Sequence, residues 1–464
     1  MSNRAGQTQP APGNGNADGT SAAPTNGNGL PARPQGFQAL RAVYTALFAI
    51  LGATVVSAVI LLISGHNPLE VAAAILQKSG IIARAHYSNN HSAFSDLMGL
   101  LDMSTPVLFA AMSVAIAYKA GLFNVGVAGQ MLFSGFLATV LVGYSPLGPL
   151  LAKPLVLLIG FVAGGAIGAL VGYLKARMRI HEIISAIMLN YIVQYLVAFV
   201  IKGFYYNASV SQSRAISEAS RLTIQGIQFG DAQIVLPLGF VLAVLLAGVY
   251  YIIHRKTRLA YEIRLVGANK KAAHYSGIDT TRTIMLSMTL SGCSAGLAGV
   301  TLYLGCSATI VPDTLSPIGL EAFAPALLAN ANPLACIVTS LFVGAFINAD
   351  DYIQVSGVGP DIAGLYIGLL LAFWAAGWFS LRSLASRRSS ARQKPDGGSA
   401  DEPDESARPT NPARPTNPAR AAGQASAEPP DSSTARPGSR PAGAAEAALP
   451  AVAAEAAAEK GGAP

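Results

Sequence analysis

Residues 154–175 read PLVLLIGFVAGGAIGALVGYLK. No charged side chain interrupts the stretch between Lys153 and Lys175. At a rise of about 1.5 Å per residue, such a helix spans the roughly 30 Å of a bilayer's hydrocarbon core. The run therefore predicts a membrane-crossing helix. Within it Gly160, Gly164, Gly168 and Gly172 recur every four residues. That spacing places them on one helical face, where a second backbone can come close. Helices associate this way in lipid, where burial of apolar surface gives no drive. Gly292 with Gly296, and Gly364 with Gly368, repeat the spacing.

Further apolar runs lie to either side. With the first, they give about ten expected spans: 42–64, 97–118, 121–143, 154–174, 183–201, 234–254, 283–305, 318–330, 333–349 and 362–381. The pair 318–330 and 333–349 is short and split by Asn332-Pro333, the pattern of half-spans or a broken helix. Over 464 residues the chain is 52% apolar and only 12% charged, about half the charge of a soluble domain. An ordinary soluble enzyme is excluded. The expected fold class is all-α, a polytopic transmembrane helical bundle over 37–382 with disordered tails at 1–36 and 383–464. The first tail is Asn, Gly, Pro, Ala and Gln. The second carries the tandem ARPTNPARPTNPAR at 407–420. Neither holds enough apolar surface to offset the entropy of ordering.

Basic residues orient the bundle. With the N-terminus inside, segments 1–41, 119–120, 175–182, 255–282 and 331–332 hold 14 basic and 4 acidic residues. The alternate segments 65–96, 144–153, 202–233, 306–317 and 350–361 hold 6 basic and 8 acidic residues. Lysine and arginine favour the cytoplasmic side, so both termini are expected there. The net charge of +7 is then accounted for by orientation, and no nucleic-acid partner is implied. Cys293, Cys306 and Cys336 fit no metal spacing and read as small apolar packing residues.

Little in the chain suggests catalysis. There is no phosphate-binding G-x-x-x-x-G-K-[ST] loop. His181-Glu182 begins a zinc-like H-E-x-x-H, but Ser185 stands where the second histidine would be. No catalytic residue, metal or cofactor is expected. Only Asp102 and Glu321 place charge inside the expected spans, each near a span end. Two uncharged polar islands remain. Asn124 and Gln130 enter the third span among Gly126 and Gly129. Asn190, Tyr191, Gln194 and Tyr195 lie in the fifth. Amides in hydrocarbon must be paired, and tyrosine rings beside amides suit stacking on a base or a sugar. Asn124, Gln130, Asn190, Tyr191 and Gln194 are therefore candidates for the path of a neutral polar solute. The segment 255–282 is expected to form a compact helical pair on the cytoplasmic face. Leu259, Ile263 and Val266 fall at helical spacing, Gly267-Ala268-Asn269 breaks the run, and a short helix resumes at Ala272.

Four stretches carry a resemblance: GLFNVGVAGQMLFSGFLAT at 121–139, IMLNYIVQYLV at 187–197, RLVGANKKAAHYSGI at 264–278 and GLEAFAPALLANANP at 319–333. In them the chain resembles the membrane permeases of bacterial ABC importers, in the branch shared by ribose-type sugar and branched-chain amino-acid permeases. It is most similar to nucleoside-type permeases that work with a basic-membrane-protein-like binding lipoprotein. The resemblance covers about 40–381. It implies a permease subunit of the bacterial plasma membrane, with no enzyme activity of its own. Its implied partners are a separate ATPase subunit, a second permease subunit of the same or similar sequence, an extracytoplasmic substrate-binding lipoprotein and the bilayer. It further implies that Arg264, Gly267, Ala268, Asn269, Ala272, Ala273 and Gly277 form the ATPase-coupling segment. A nucleoside is the substrate expected first and a simple sugar second. A branched-chain amino acid, or an ion-coupled carrier of another class, follows. Two departures are visible: Ala128 stands where these permeases commonly have Glu, and Lys270 where Pro is frequent.

Overall fold

The computed structural model describes residues 35–84, 92–229, 232–355 and 362–392. Of the tails expected at 1–36 and 383–464, residues 1–34 and 393–464 lie outside these residues. The described chain is mostly helical. Helices α1 (Gln35–Ile63), α2 (Pro68–Lys78), α3 (Ala93–Lys119), α4 (Val127–Ala138), α5 (Pro149–Ala176) and α6 (Glu182–Val200) come first. Strands β1 (Tyr206–Asn207), β2 (Gln212–Ser213), β3 (Thr223–Phe229) and β4 (Ala232–Pro237) follow. Then come α7 (Leu238–Lys256), α8 (Arg258–Ala268), α9 (Lys270–Tyr275), α10 (Thr280–Thr301), α11 (Ile318–Glu321), α12 (Phe323–Leu328), α13 (Pro333–Val355) and α14 (Ile362–Arg392). Among the described residues, seven helices are long and apolar enough to cross a membrane, and 127–143, 318–328 and 362–377 are shorter apolar helices.

The glycine spacing of α5 and α10 does what was expected of it, whereas Gly364 and Gly368 mark no close backbone contact: Gly364 meets only Glu321 Oε1, at 3.8 Å, and nothing lies within 4 Å of a Cβ on Gly368. α10 is buried along most of its length and packs against α3, α4 and, most closely, α5. A Cβ built on Gly164 would fall on the Gly292 carbonyl and the Gly296 backbone, and one on Gly168 would meet Met288 and Gly292. The two backbones touch along this seam. α4 adds a second such contact, where Gly299 lies on the Met131 backbone.

The structure corrects the sequence reading in five places. The third expected span does not begin at 121, because 120–126 is unwound and α4 starts at Val127. The sixth begins at Leu238 rather than 234, because 232–237 pairs with β3 as an antiparallel hairpin. With the smaller β1–β2 pair, this hairpin makes the all-α expectation incomplete at one end of the bundle. The alternation in TIQGIQF, rich in β-branched side chains, favours a strand there. The expected span 318–330 is two short helices, α11 and α12, together about half a bilayer long. Irregular chain at 311–317, with a left-handed Asp313 (φ 62°), leads into them from Ile310, whose amide donates to Ser213 Oγ at 2.9 Å, and beyond them the Asn330 carbonyl accepts from Lys119 at 3.1 Å. Finally, α14 runs to Arg392, ten residues beyond the boundary expected at 382.

α4, α6 and α10 each continue into a π-helical turn at the hairpin end, over Thr139–Gly143, Ile201–Tyr205 and Leu302–Cys306. The hairpin end is tied together by short polar links. The Ser213 and Ile216 amides donate to the Ile310 and Ala308 carbonyls at 2.9 and 3.2 Å. The Tyr144 ring stacks on Tyr205 at 5.1 Å, and its hydroxyl donates to the Arg214 carbonyl at 3.0 Å. Burial raises the Tyr144 pKa above its ordinary value, so the phenol stays a donor.

Candidate functional site

α3 ends because Gly121 turns left-handed (φ 71°). The Gly121 and Leu122 amides fold back onto the Tyr118 and Ala117 carbonyls, both at 3.0 Å. This is the glycine-terminated helix end. The unwound 120–126 that follows frees backbone groups inside an apolar bundle, where each must find a partner.

Asn124 meets much of that need. It is 0% exposed, as is Gln130. Its Oδ1 accepts from the Gly126 amide (3.1 Å) and from Gln130 Nε2 (3.2 Å). Its Nδ2 donates to Gln130 Oε1 (2.9 Å) and Ser291 Oγ (2.8 Å), with Ser113 Oγ farther off at 3.3 Å. Ser291 Oγ donates in turn to the Ser113 carbonyl at 2.8 Å. Asn190 of α6 closes the other side. Its Nδ2 donates to the Val125 carbonyl (3.1 Å), and its Oδ1 accepts from the Gly129 amide (3.0 Å). α3, α4, α6 and α10 thus converge on one buried amide node. Ser113 and Ser291 complete it, though the sequence reading did not single them out. Their signal was faint: single hydroxyls in apolar helices, which usually bond within their own helix.

Three of the five solute-path candidates, Asn124, Gln130 and Asn190, therefore meet here and bond to the protein and to each other. Tyr191 and Gln194 stand apart. Gln194 Nε2 donates to the Asp313 carbonyl, and Asp313 pairs with Lys202. Tyr191 is 51% exposed and Tyr195 64%. They belong to an outward stripe with Ile184, Met188 and Phe199. Neither tyrosine hydroxyl has a hydrogen-bond partner among the described residues.

The helical pair α8–α9 sits directly on the break. Thr257 caps α8 by accepting from the Ala260 amide at 3.3 Å. Asn269 separates the two helices in extended conformation (φ −158°). Its Oδ1 accepts from the Lys271 and Ala272 amides at 3.0 and 3.1 Å, an N-cap. Gly277 (φ 78°) closes the short helix. Ile263, Val266 and Ala273 are buried in a cluster with Leu122, Ala117, Ala120, Val171, Ile284 and Met288. Gly267 lies on the chain turn itself, and a Cβ there would meet the Lys119 carbonyl and come within 3.0 Å of the Gly121 nitrogen. Arg264, Ala268 and Ala272 face outward with Lys270 and Lys271, and Tyr275 is 89% exposed.

Asp102, Glu321 and a motif that the sequence reading passed over lie apart from this node. Asp102 is half-buried where α3 meets β3, and its Oδ1 accepts from Thr223 Oγ1 at 2.8 Å. Glu321 lies half-buried in α11, its Oε1 facing Gly364. Gly292-Cys293-Ser294-Ala295-Gly296 matches the nucleophile pattern G-x-S-x-G. It lies inside an unbroken α10, where Ser294 Oγ donates to the Leu290 carbonyl (3.3 Å) and the glycines face α5. The pattern here serves packing. A cavity of about 510 Å³ between α1, α2, α13 and α14 is lined by side chains such as Leu61, Val71, Phe342 and Phe346. Its polar Thr54 and Tyr366 bond each other at 3.1 Å, so it offers a polar solute little. No group of residues that could hold a metal occurs among the described residues.

Comparison with known proteins bears on this arrangement. The family model described as branched-chain amino acid transport system / permease component matches residues 97–375. The guanosine ABC transporter permease protein NupP of Bacillus subtilis is 30% identical over 335 residues, covering 72% of this chain and 92% of the relative. The nucleoside ABC transporter permease protein NupB of Lactococcus lactis is 29% identical over 343 residues, covering 72% of this chain and 91% of the relative. A glucose ABC transporter permease protein of Haloferax volcanii is 26% identical over 285 residues, covering 60% of this chain and 75% of the relative. No solved structure matches the chain.

Proposed function

The chain belongs to the branched-chain amino acid transport system permease family, a multi-pass membrane permease of the ABC type, and on that premise we propose that it imports nucleosides across a bacterial plasma membrane, driven by a separate ATPase subunit. The family description names amino acids, whereas NupP and NupB carry nucleoside names, and they match this chain over more of its length than the Haloferax glucose permease does.

The observation that carries the proposal is the α8–α9 pair. It is capped at both ends, anchored by one buried face and left with a protruding tip of Lys270, Lys271, Ala272 and Tyr275. A helix so presented fits a groove on a partner. Its basic flanks favour the cytoplasmic side, where an ATPase would dock. Both termini and all ten expected crossings then follow the charge alternation, with α11–α12 as the half-helical crossing. ATP-driven closure would rock the helices between outward- and inward-facing states.

The stripe on α6 supports the substrate class. Tyr191 lies mid-helix, and a phenol facing hydrocarbon there would leave its hydroxyl unpaired. A water-filled path shared with a second permease subunit removes that penalty. Tyr191 and Tyr195 would offer rings for a base to stack on, with Gln194 beside them. In this reading Asn124, Gln130 and Asn190 shape the path's wall without touching solute. The hairpin end, which carries both Arg214 and Asp313, would receive an extracytoplasmic binding lipoprotein. The Haloferax relative makes a sugar the second reading.

Uptake of labelled nucleosides, glucose and ribose in a deletion strain complemented with this chain tests the proposal. Nucleoside accumulation that needs the ATPase subunit is expected, and Gly267→Trp should abolish it while the lipoprotein still captures solute. Accumulation of sugar alone would replace the substrate. Uptake by the purified permease in vesicles without an ATPase would overturn the mechanism.

A further inference from the structure

The ends of the break at 120–126 touch different things. At one end Gly121 meets α8: a Cβ on Gly121 would lie 3.2 Å from both Cα and O of Gly267. Leu122 is buried in the same cluster as Ile263, Val266 and Ala273. At the other end the break is held by α6, through Asn190 to the Val125 carbonyl and the Gly129 amide. The next residue on α6 is Tyr191, one of the exposed rings. Between the two ends stands Asn124, whose bonds run to α3, α4 and α10. About seven residues of chain therefore join the protruding helices to the helix that bears the tyrosines.

This segment is also suited to move. An unwound stretch can change its dihedrals without breaking helical hydrogen bonds, which makes such places hinges. The α5–α10 seam offers no such freedom, because its backbones are in contact. A displacement of α8–α9 pressing on Gly121 would thus pass into 122–126 and, through Asn190, into α6.

We propose that 120–126 is the relay that carries motion of α8–α9 to the solute-facing stripe of α6, with Gly121 and Asn190 as the positioning residues at its two ends. This rests on the reading of α8–α9 as the ATPase-docking element. Gly121 is needed as glycine because its φ of 71° strains any side chain and a Cβ there would press on the Gly267 backbone at 3.2 Å. Asn190 is needed as an amide because it must donate to one carbonyl and accept from one amide simultaneously.

The test uses the full transporter, permease with ATPase and lipoprotein, in vesicles. Cys293, Cys306 and Cys336 are replaced by Ala, and spin labels are placed in turn at Tyr261→Cys on α8 and Leu196→Cys on α6. Both labels are expected to shift when ATP is added. In Asn190→Ala the α8 label should still respond and the α6 label should not. Transport per ATP hydrolysed should fall about tenfold in Asn190→Ala and in Gly121→Ala, and the double variant should be no worse than either alone. Asn190→Asp restores one of the two bonds and should recover part of the coupling. If the α6 label responds normally in Asn190→Ala, or the two losses multiply, the relay is wrong. If the α8 label ignores ATP in the parent transporter, the docking reading fails first and the relay loses its input.

Discussion

α5 and α4 both pack on α10, and both use glycine to do it, yet what lies beyond each of them differs. The α5–α10 seam is backbone on backbone over three turns, from Gly160 to Gly172, with no polar side chain needed. The contact of α4 with α6 has a single glycine, Gly129, and it is held by one amide that bonds across the gap. Dispersion between close-packed backbones is nondirectional and dense. A hydrogen-bonded amide is directional and can exchange partners. The first contact suits a part that stays fixed, and the second suits a part that must be held in more than one place. A transporter needs both, and here α10 packs on one helix from each, α5 and α4.

The hardest challenge to that contrast is Gly164→Leu. Its side chain would enter the space of the Gly292 carbonyl and the Gly296 backbone. Overpacking of this kind costs about 1–3 kcal/mol even where neighbours can move aside, and backbones in contact cannot. The variant is expected to give no monodisperse peak on size-exclusion in detergent, and a stable, well-behaved variant would refute the fixed seam. Asn124→Leu should cost less, about 1–3 kcal/mol, because Gln130 and Ser291 lose partners but the volume stays similar. A lowered thermal midpoint with the fold retained is the expected readout. The smallest effect on stability belongs to Tyr191→Ala, within about 0.5 kcal/mol of the parent, since the ring touches little of its own chain. It should instead raise the KM for nucleoside uptake about fivefold, the size of a lost stacking contact. Equal KM values would remove Tyr191 from the path.

Much of this is legible in the sequence itself. The glycines of 160–172 and 292–296 read as close helix contacts, and the structure joins those two helices to each other. The segment 255–282 read as a helix broken at 267–269, and α8 ends at Ala268 with α9 starting at Lys270. Both are local patterns with strong periodicity, which is where sequence speaks most clearly. The sequence shows the polar islands but not their pairing. Spacing puts Asn124 near Gln130 along one chain, whereas Ser113 and Ser291 are 178 positions apart and no local pattern links them. The β3–β4 hairpin is hidden in the sequence because the apolar end of β4 runs directly into α7. The break at 120–126 was hidden for the opposite reason: GLFNVGVAG is apolar enough to pass for helix, and only its glycines hint at unwinding.

The three wide turns at the ends of α4, α6 and α10 have a consequence for chain length. A π turn holds one residue more than the α-helix needs at that point. Deleting a residue from 139–143, 201–205 or 302–306 could be absorbed by tightening the turn, leaving the rest of each helix in place. Deleting one near Gly296 would swing the following residues about 100° off their mates on α5. α10 thus keeps its slack at one rim and none along its seam with α5, so insertions and losses among natural variants should collect at that rim.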